Sequence, residues 1–173
     1  LRQTLNRTLI RTYAWEQYVQ VKKGLKCSCH AMADVYGYAA EQYRGFNNDE
    51  ESFVEDLGAV MAGVTEWCTP DSTNSGTPRF SDSGFKSEFR DTSNQVRHFT
   101  GGVVAGFQYG HWFGGLHRLA RPDGPADTAL NDISSAIGAG LDGIGTSLEE
   151  VKEKIEVNVC ERTCGVCNGG RGR

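Results

Sequence analysis

The chain has 173 residues, with 18 Lys plus Arg against 22 Asp plus Glu and a formal charge of −4. Hydrophobic residues at 38% and charged residues at 23% exclude a disordered chain at one extreme and a membrane span at the other, and the length suits one globular domain. With no run of five Lys or Arg, the acidic balance argues against nucleic acid as the main partner, because counterion release needs clustered cations.

From Leu1 to Val21 the apolar residues fall in two adjacent rows, Leu1, Leu5, Leu9 and Tyr13 beside Ile10, Ala14, Tyr18 and Val21. Together they predict a helix with one broad apolar face, leaving Arg2, Gln3, Asn6, Arg7, Arg11, Gln17 and Gln20 for solvent. Lys22, Lys23 and Gly24 supply a basic last turn and a glycine stop. A second helix starts near Ser28, with Met32, Val35, Tyr36, Ala39, Ala40 and Tyr43 at helical spacing and Gly45 ending it. A third opens on the capping pattern Asn48 to Glu51, carries Phe53, Leu57, Val60, Met61, Val64 and Trp67, and ends before Pro70.

Residues 69–84 hold almost nothing to bury and nearly every common turn residue, which predicts a long loop. A short helix from Phe85 to Arg90 leads into a longer one from Thr92 to Tyr109, with Val96, Phe99, Val103 and Phe107 on one face. Gly101, Gly102 and Gly106 lie on that helix, each costing about 1 kcal/mol relative to Ala, so close packing against another helix is the expected compensation. Arg121 to Pro125 is a turn. Leu130, Ile133, Ile137 and Leu141 mark a further helix, and Thr146 to Glu149 reads as a capping box for a last one bearing Leu148, Val151, Ile155 and Val159. No alternating strand is evident. The fold class expected is therefore all-α, an irregular bundle of five or six helices over 1–160 with a cysteine-rich tail over 161–173.

The six cysteines, Cys27, Cys29, Cys68, Cys160, Cys164 and Cys167, gather towards the two ends. An even count favours disulfides and an oxidising, secreted or extracytoplasmic location, with each of the first three bridging to one of the last three. The alternative is a zinc site built from Cys27, Cys29, His30, Cys164 and Cys167, although Cys-x-Cys is an unusual spacing for structural zinc. No cofactor or resident metal is expected, and no segment is long and apolar enough to span a membrane.

The stretch from Glu88 to His98 concentrates polar groups at the entrance to an apolar, glycine-rich helix. Asp91, Asn94 or Gln95, and His98 share a helical face if the helix reaches back that far, which would make His98 a general acid or base oriented by Asp91 and helped by Arg97. The competing structural role has Asp91 capping the helix, Arg97 ion-paired, and His98 a hydrogen-bonded core residue. A second polar group, Asp127 and Asn131, lies one turn apart at the start of the Leu130 helix. Acid pairs on the third helix, Glu50 and Glu51 or Glu55 and Glu66, offer a weaker glycosidase-like alternative.

Arg97-His98 opening a Gly/Ala-rich helix, followed by Asp127-x3-Asn131 and then Gly138, resembles a pattern of all-helical C-terminal domains of bacterial polymorphic toxins. Such domains carry paired asparagines where this chain has Asn131-Asp132. The resemblance implies a secreted effector more than a particular reaction. Two functional classes follow. One is a toxin-like hydrolase with His98, Arg97, Asp91, Asp127 and Asn131 in its site. The other is a noncatalytic structural or interaction module that packs against copies of itself or another protein.

Overall fold

The computed structural model describes residues 2–44, 49–64, 77–91, 95–110, 124–143 and 145–163. Among them are six α-helices, α1 (Arg2–Lys22), α2 (Ser28–Tyr43), α3 (Asp49–Leu57), α4 (Gln95–Tyr109), α5 (Pro125–Leu141) and α6 (Val151–Asn158). A π-helical turn, Gly58–Ala62, extends α3, and a 3-10 turn, Ser87–Phe89, precedes α4. There is no strand among the described residues, where Phe85 and Cys160 form an isolated antiparallel bridge. The chain is thus an all-α bundle, as its periodicity predicts. The tail beyond 163 and the expectations for Glu66, Trp67 and residues 112–120 lie outside the described residues.

Helix α2 is the hub. Ten of its 16 residues are buried, because it packs against α1, α3, α4 and α6 at once, and the Ala and Tyr content of its faces lets neighbours approach on several sides. Its first turn is capped by the loop: the Ser28 amide donates to Ser83 Oγ at 3.0 Å and the Cys29 amide to the Ser83 carbonyl at 3.0 Å. Ser83 therefore satisfies donors that Cys27, the N-cap residue, leaves open.

Helix α1 packs one of its two apolar rows against the core and, among the described residues of the other, only Tyr13. Ile10 and Ala14 are fully buried, and Tyr13 stacks on Tyr38 with ring centroids 4.2 Å apart. Leu5, Leu9, Trp15 and Val19 remain at the surface. Two residues expected in solvent are instead buried. Asn6 donates to the Gln42 carbonyl, and Gln17 accepts from Lys26 Nζ at 2.6 Å.

The glycines of α4 serve close packing against α5, the most extensive helix pair in the fold. A Cβ on Gly106 would lie 2.1 Å from the Ser135 carbonyl oxygen, and one on Gly138 would lie 2.0 Å from that of Val103. Backbone meets backbone there, so no side chain fits. Gly101, by contrast, faces open space.

A disulfide between Cys29 and Cys160 ties the start of α2 to the end of α6, and both residues are buried. It obeys the expected early-to-late pairing. Closing a loop of 131 residues stabilises by about 4 to 5 kcal/mol in the chain-entropy model. Cys27 is also disulfide-bonded, so neither early thiol is left to hold the alternative zinc ion. Gly84, at φ +75°, completes the joint, since a Cβ there would fall 2.5 Å from that of Cys27. The last helix starts later than expected, and the box that precedes it is Ser147 to Glu150, with the Ser147 amide donating to Glu150 Oε2 at 3.2 Å.

Candidate functional site

The first turns of α4 and α5 converge on the C-terminal end of α1 and on the described end of the long loop, 77–84. Between them lies a cleft of about 810 Å³ lined by Tyr18, Val21, Lys22, Arg79, Phe80, Ser81, Val96, Arg97, His98 and Asp127. The walls alternate in character for a local reason. Helix α4 turns Val96 and Phe99 into the core, so Arg97 and His98, next on the helical wheel, fall at the rim. In the loop, Phe80 is buried and forms an edge-on contact with Tyr18 at 5.6 Å, and this contact fixes Arg79 and Ser81 on either side of it. The loop was expected to bury almost nothing. Phe80 is the exception that attaches it.

His98 and Asp127 face each other across the α4–α5 contact, with Nδ1 and Oδ1 3.8 Å apart. This is ion-pair separation and longer than a hydrogen bond. The His98 side chain is 32% exposed and that of Asp127 13%. His98 therefore has an open side to the cleft and a carboxylate behind it. Its Nε2 is the nitrogen left for water or a ligand. His98 is not the core histidine of the structural alternative.

The remaining sequence-derived candidates separate. Arg97 lines the cleft and anchors there through its Nε, which donates to the Ala62 carbonyl at the end of the π-turn at 3.3 Å. It has no carboxylate partner among the described residues, contrary to the ion pair of the structural alternative. Asp91 sits at an exposed bend ahead of α4, so the spacing argument that put it on one face with His98 does not reach it. Its carboxylate lies instead by Gly124, the N-cap of α5, where a Cβ would be 3.6 Å from Asp91 Oδ2. Asn131 is one turn deeper along α5, with Oδ1 3.6 Å from the Cβ position of Gly102, inside the helix contact and off the cleft wall. The structure thus brings His98, Arg97 and Asp127 together and leaves Asp91 and Asn131 beside them.

Lys22, Arg79, Tyr18 and Ser81 escaped the sequence reading. Lys22 looked like a helix-ending charge and Arg79 like loop filling. The one available signal was the Arg79-Phe80 pair, an aromatic in an otherwise polar loop with a cation attached.

The acid pairs of α3 occupy a different place. Glu51 and Glu55 border a smaller pocket of about 300 Å³ with Gly58, Phe107, Tyr109 and Asp142, and Glu55 accepts from Gln3 Nε2 at 2.7 Å. Among the described residues no group of three His, Cys, Asp or Glu is arranged to hold a metal ion, and no helix is long and apolar enough to cross a membrane. Comparison with known proteins gives no match: no family model fits the chain, and no curated protein or solved structure is significantly similar to it.

Proposed function

We propose that the protein is a secreted or extracytoplasmic, disulfide-stabilised helical domain whose cleft performs acid–base hydrolysis, with His98 as the proton-transferring group. The observation that carries this reading is the His98–Asp127 pair at 3.8 Å on the wall of a cleft open to solvent. In the forward direction His98 Nε2 takes a proton from a water molecule as the water oxygen bonds to the electrophilic centre of an ester. The imidazolium returns that proton to the leaving oxygen as the ester bond breaks. Asp127 stabilises the imidazolium between the two transfers and aims the ring. Arg97, held at the rim by Ala62, is placed to stabilise negative charge on the reacting group. The resemblance to polymorphic-toxin domains agrees with a secreted effector, and the buried Cys29–Cys160 disulfide supports an oxidising compartment.

Turnover of chromogenic p-nitrophenyl esters by the oxidised chain tests the proposal. Asp127→Asn is expected to lower kcat by about 10- to 100-fold while the helical circular-dichroism signal stays unchanged. Unchanged kcat in that variant contradicts the assigned role.

A second reading, the interaction module, is favoured by one observation. Leu5, Leu9, Trp15 and Val19 are large apolar side chains of α1 that remain exposed. If association with another protein surface is the main function, Leu5→Glu with Leu9→Glu abolishes the biological effect of the domain, while Asp127→Asn leaves it intact.

A further inference from the structure

Two features of the cleft go beyond an acid–base pair, and both concern charge. Lys22, Arg79 and Arg97 all line it, and none forms an ion pair with a carboxylate among the described residues. Elsewhere Arg7, Lys26, Arg44, Arg90, Lys152 and Lys154 each have an acidic partner, while Lys23, Lys86 and Arg162 form no ion pair among the described residues but stand apart from the cleft, so it is the gathering of three such cations on one concave wall that distinguishes the site. In a chain of net charge −4, a concave site whose described lining holds three cations against one carboxylate, that of Asp127, is a local reversal of sign. Such a reversal in a cleft focuses the field on an anion. The second feature is the pair of helix starts. His98 belongs to the first turn of α4 and Asp127 to that of α5, so the positive ends of two helices of 15 or more residues border the cleft, against one negative end, that of α1, which carries Lys22.

From these observations we infer that the cleft binds an organic phosphate monoester, its phosphoryl group held by Lys22, Arg79 and Arg97 and its organic part lying on Tyr18, Val21 and Phe80. A phosphate dianion rather than a carboxylate suits the site, because two guanidinium forks and an ammonium offer more donors than a carboxylate has oxygens to accept. A volume of about 810 Å³ is far larger than inorganic phosphate and fits a molecule of small-drug or cofactor size. The apolar and aromatic wall supplies the remaining contact area. The inference rests on the cleft being the working site of the proposed hydrolase and names its substrate class. Hydrolysis then forms a bond between water oxygen and phosphorus and breaks the phosphorus–oxygen ester bond, giving the free alcohol and inorganic phosphate, with the proton passing through His98 as above.

Calorimetric titration of phenyl phosphate into the oxidised full chain carrying His98→Asn, which suppresses turnover, tests the binding. Saturable one-to-one binding is expected, weakened at least about tenfold by Arg79→Gln or Lys22→Gln and by raised salt. Lys23→Gln, which removes a neighbouring charge outside the cleft wall, should leave it unchanged. Absence of binding, equal loss with Lys23→Gln, or benzoate binding as tightly as phenyl phosphate would each overturn the assignment. Failure of this inference and failure of the hydrolase reading give different results. If p-nitrophenyl acetate is hydrolysed through His98 but phenyl phosphate does not bind, the substrate class is wrong and the hydrolase stands. If phenyl phosphate binds through Arg79 and Lys22 but p-nitrophenyl phosphate is not turned over by the unmutated chain, the anion site stands and the hydrolytic step is wrong.

Discussion

Two acid-containing clusters, one between α1, α2 and α3 and one between α4 and α5, show what separates a structural polar group from a reactive one. Asp56 is fully buried, and both its oxygens are engaged: Arg7 Nε donates to Oδ1 at 2.7 Å and the Tyr43 hydroxyl donates to Oδ2. Burial and the adjacent Asp56 charge both push the Tyr43 phenol up, so it stays a neutral donor across any physiological pH. The cluster is closed and has no capacity left for a ligand. His98 is the opposite case, at ion-pair rather than hydrogen-bond distance from Asp127 and with its imidazole facing a cleft. A group that must exchange protons with a substrate needs that spare capacity. A group that only holds helices together is stronger without it.

The sharpest way to test this contrast is to remove the acid from the closed cluster. Asp56→Ala leaves the half-buried Arg7 guanidinium and the Tyr43 hydroxyl without their acceptor, and is predicted to destabilise the fold by about 3 kcal/mol in urea unfolding. A loss under about 1 kcal/mol would mean that the cluster is not the closed structural unit described.

The α4–α5 contact that brings His98 to Asp127 can be broken in a graded way. Gly106→Ala drives a methyl into the Ser135 backbone and should cost about 2 kcal/mol or more by shifting the helices apart. Gly101→Ala, on the same helix but facing open space, should instead stabilise by about 1 kcal/mol. Melting both variants side by side checks the pair, and equal effects would contradict the packing.

A third acid extends the comparison to pH. Burial acts to raise the Asp34 carboxyl, but hydrogen bonds from Lys152 and Lys26 outweigh it and hold it below its ordinary value, while the bond to Asp34 raises the Lys152 ammonium. The stability Asp34 contributes is therefore complete above its unfolded value of about 3.9 and is lost as pH falls through its lowered folded value. That of Lys152 is complete below about 10.4 and is lost as pH rises through its raised one. Asp34→Asn should lower stability at pH 7 by no more than about 1 kcal/mol, since both partners remain partly exposed. The gap to the unmutated chain should narrow in urea titrations as pH falls through the lowered folded value of Asp34.

The same contrast explains how much could be read from the residues alone. Helical periods, the glycine stop at Gly24 and the α4 glycines are local signals, and they gave α1, α2, α4 and α5 nearly to their ends. The row of α1 that faces inward was not legible, because Leu5 and Ile10 look equally apolar until α2 is in place to cover one of them. Asp127 rather than Asp91 stands behind His98 for the same reason. That pairing joins two helices across residues 111–123, and spacing along one helix carries no information about it. Lys22 and Arg79 acquire a shared meaning only when the end of α1 and the loop meet at one cleft.

The smallest effect on stability is expected at His98 itself, where the open geometry leaves little to lose, and this makes it the most direct test of the central claim. His98→Asn should be measured for p-nitrophenyl ester turnover and for thermal unfolding in the same preparation. The prediction is a fall in kcat of about 100-fold or more with a stability change below about 0.5 kcal/mol. A melting temperature lowered by several degrees with turnover unchanged would make His98 a structural residue and contradict the account.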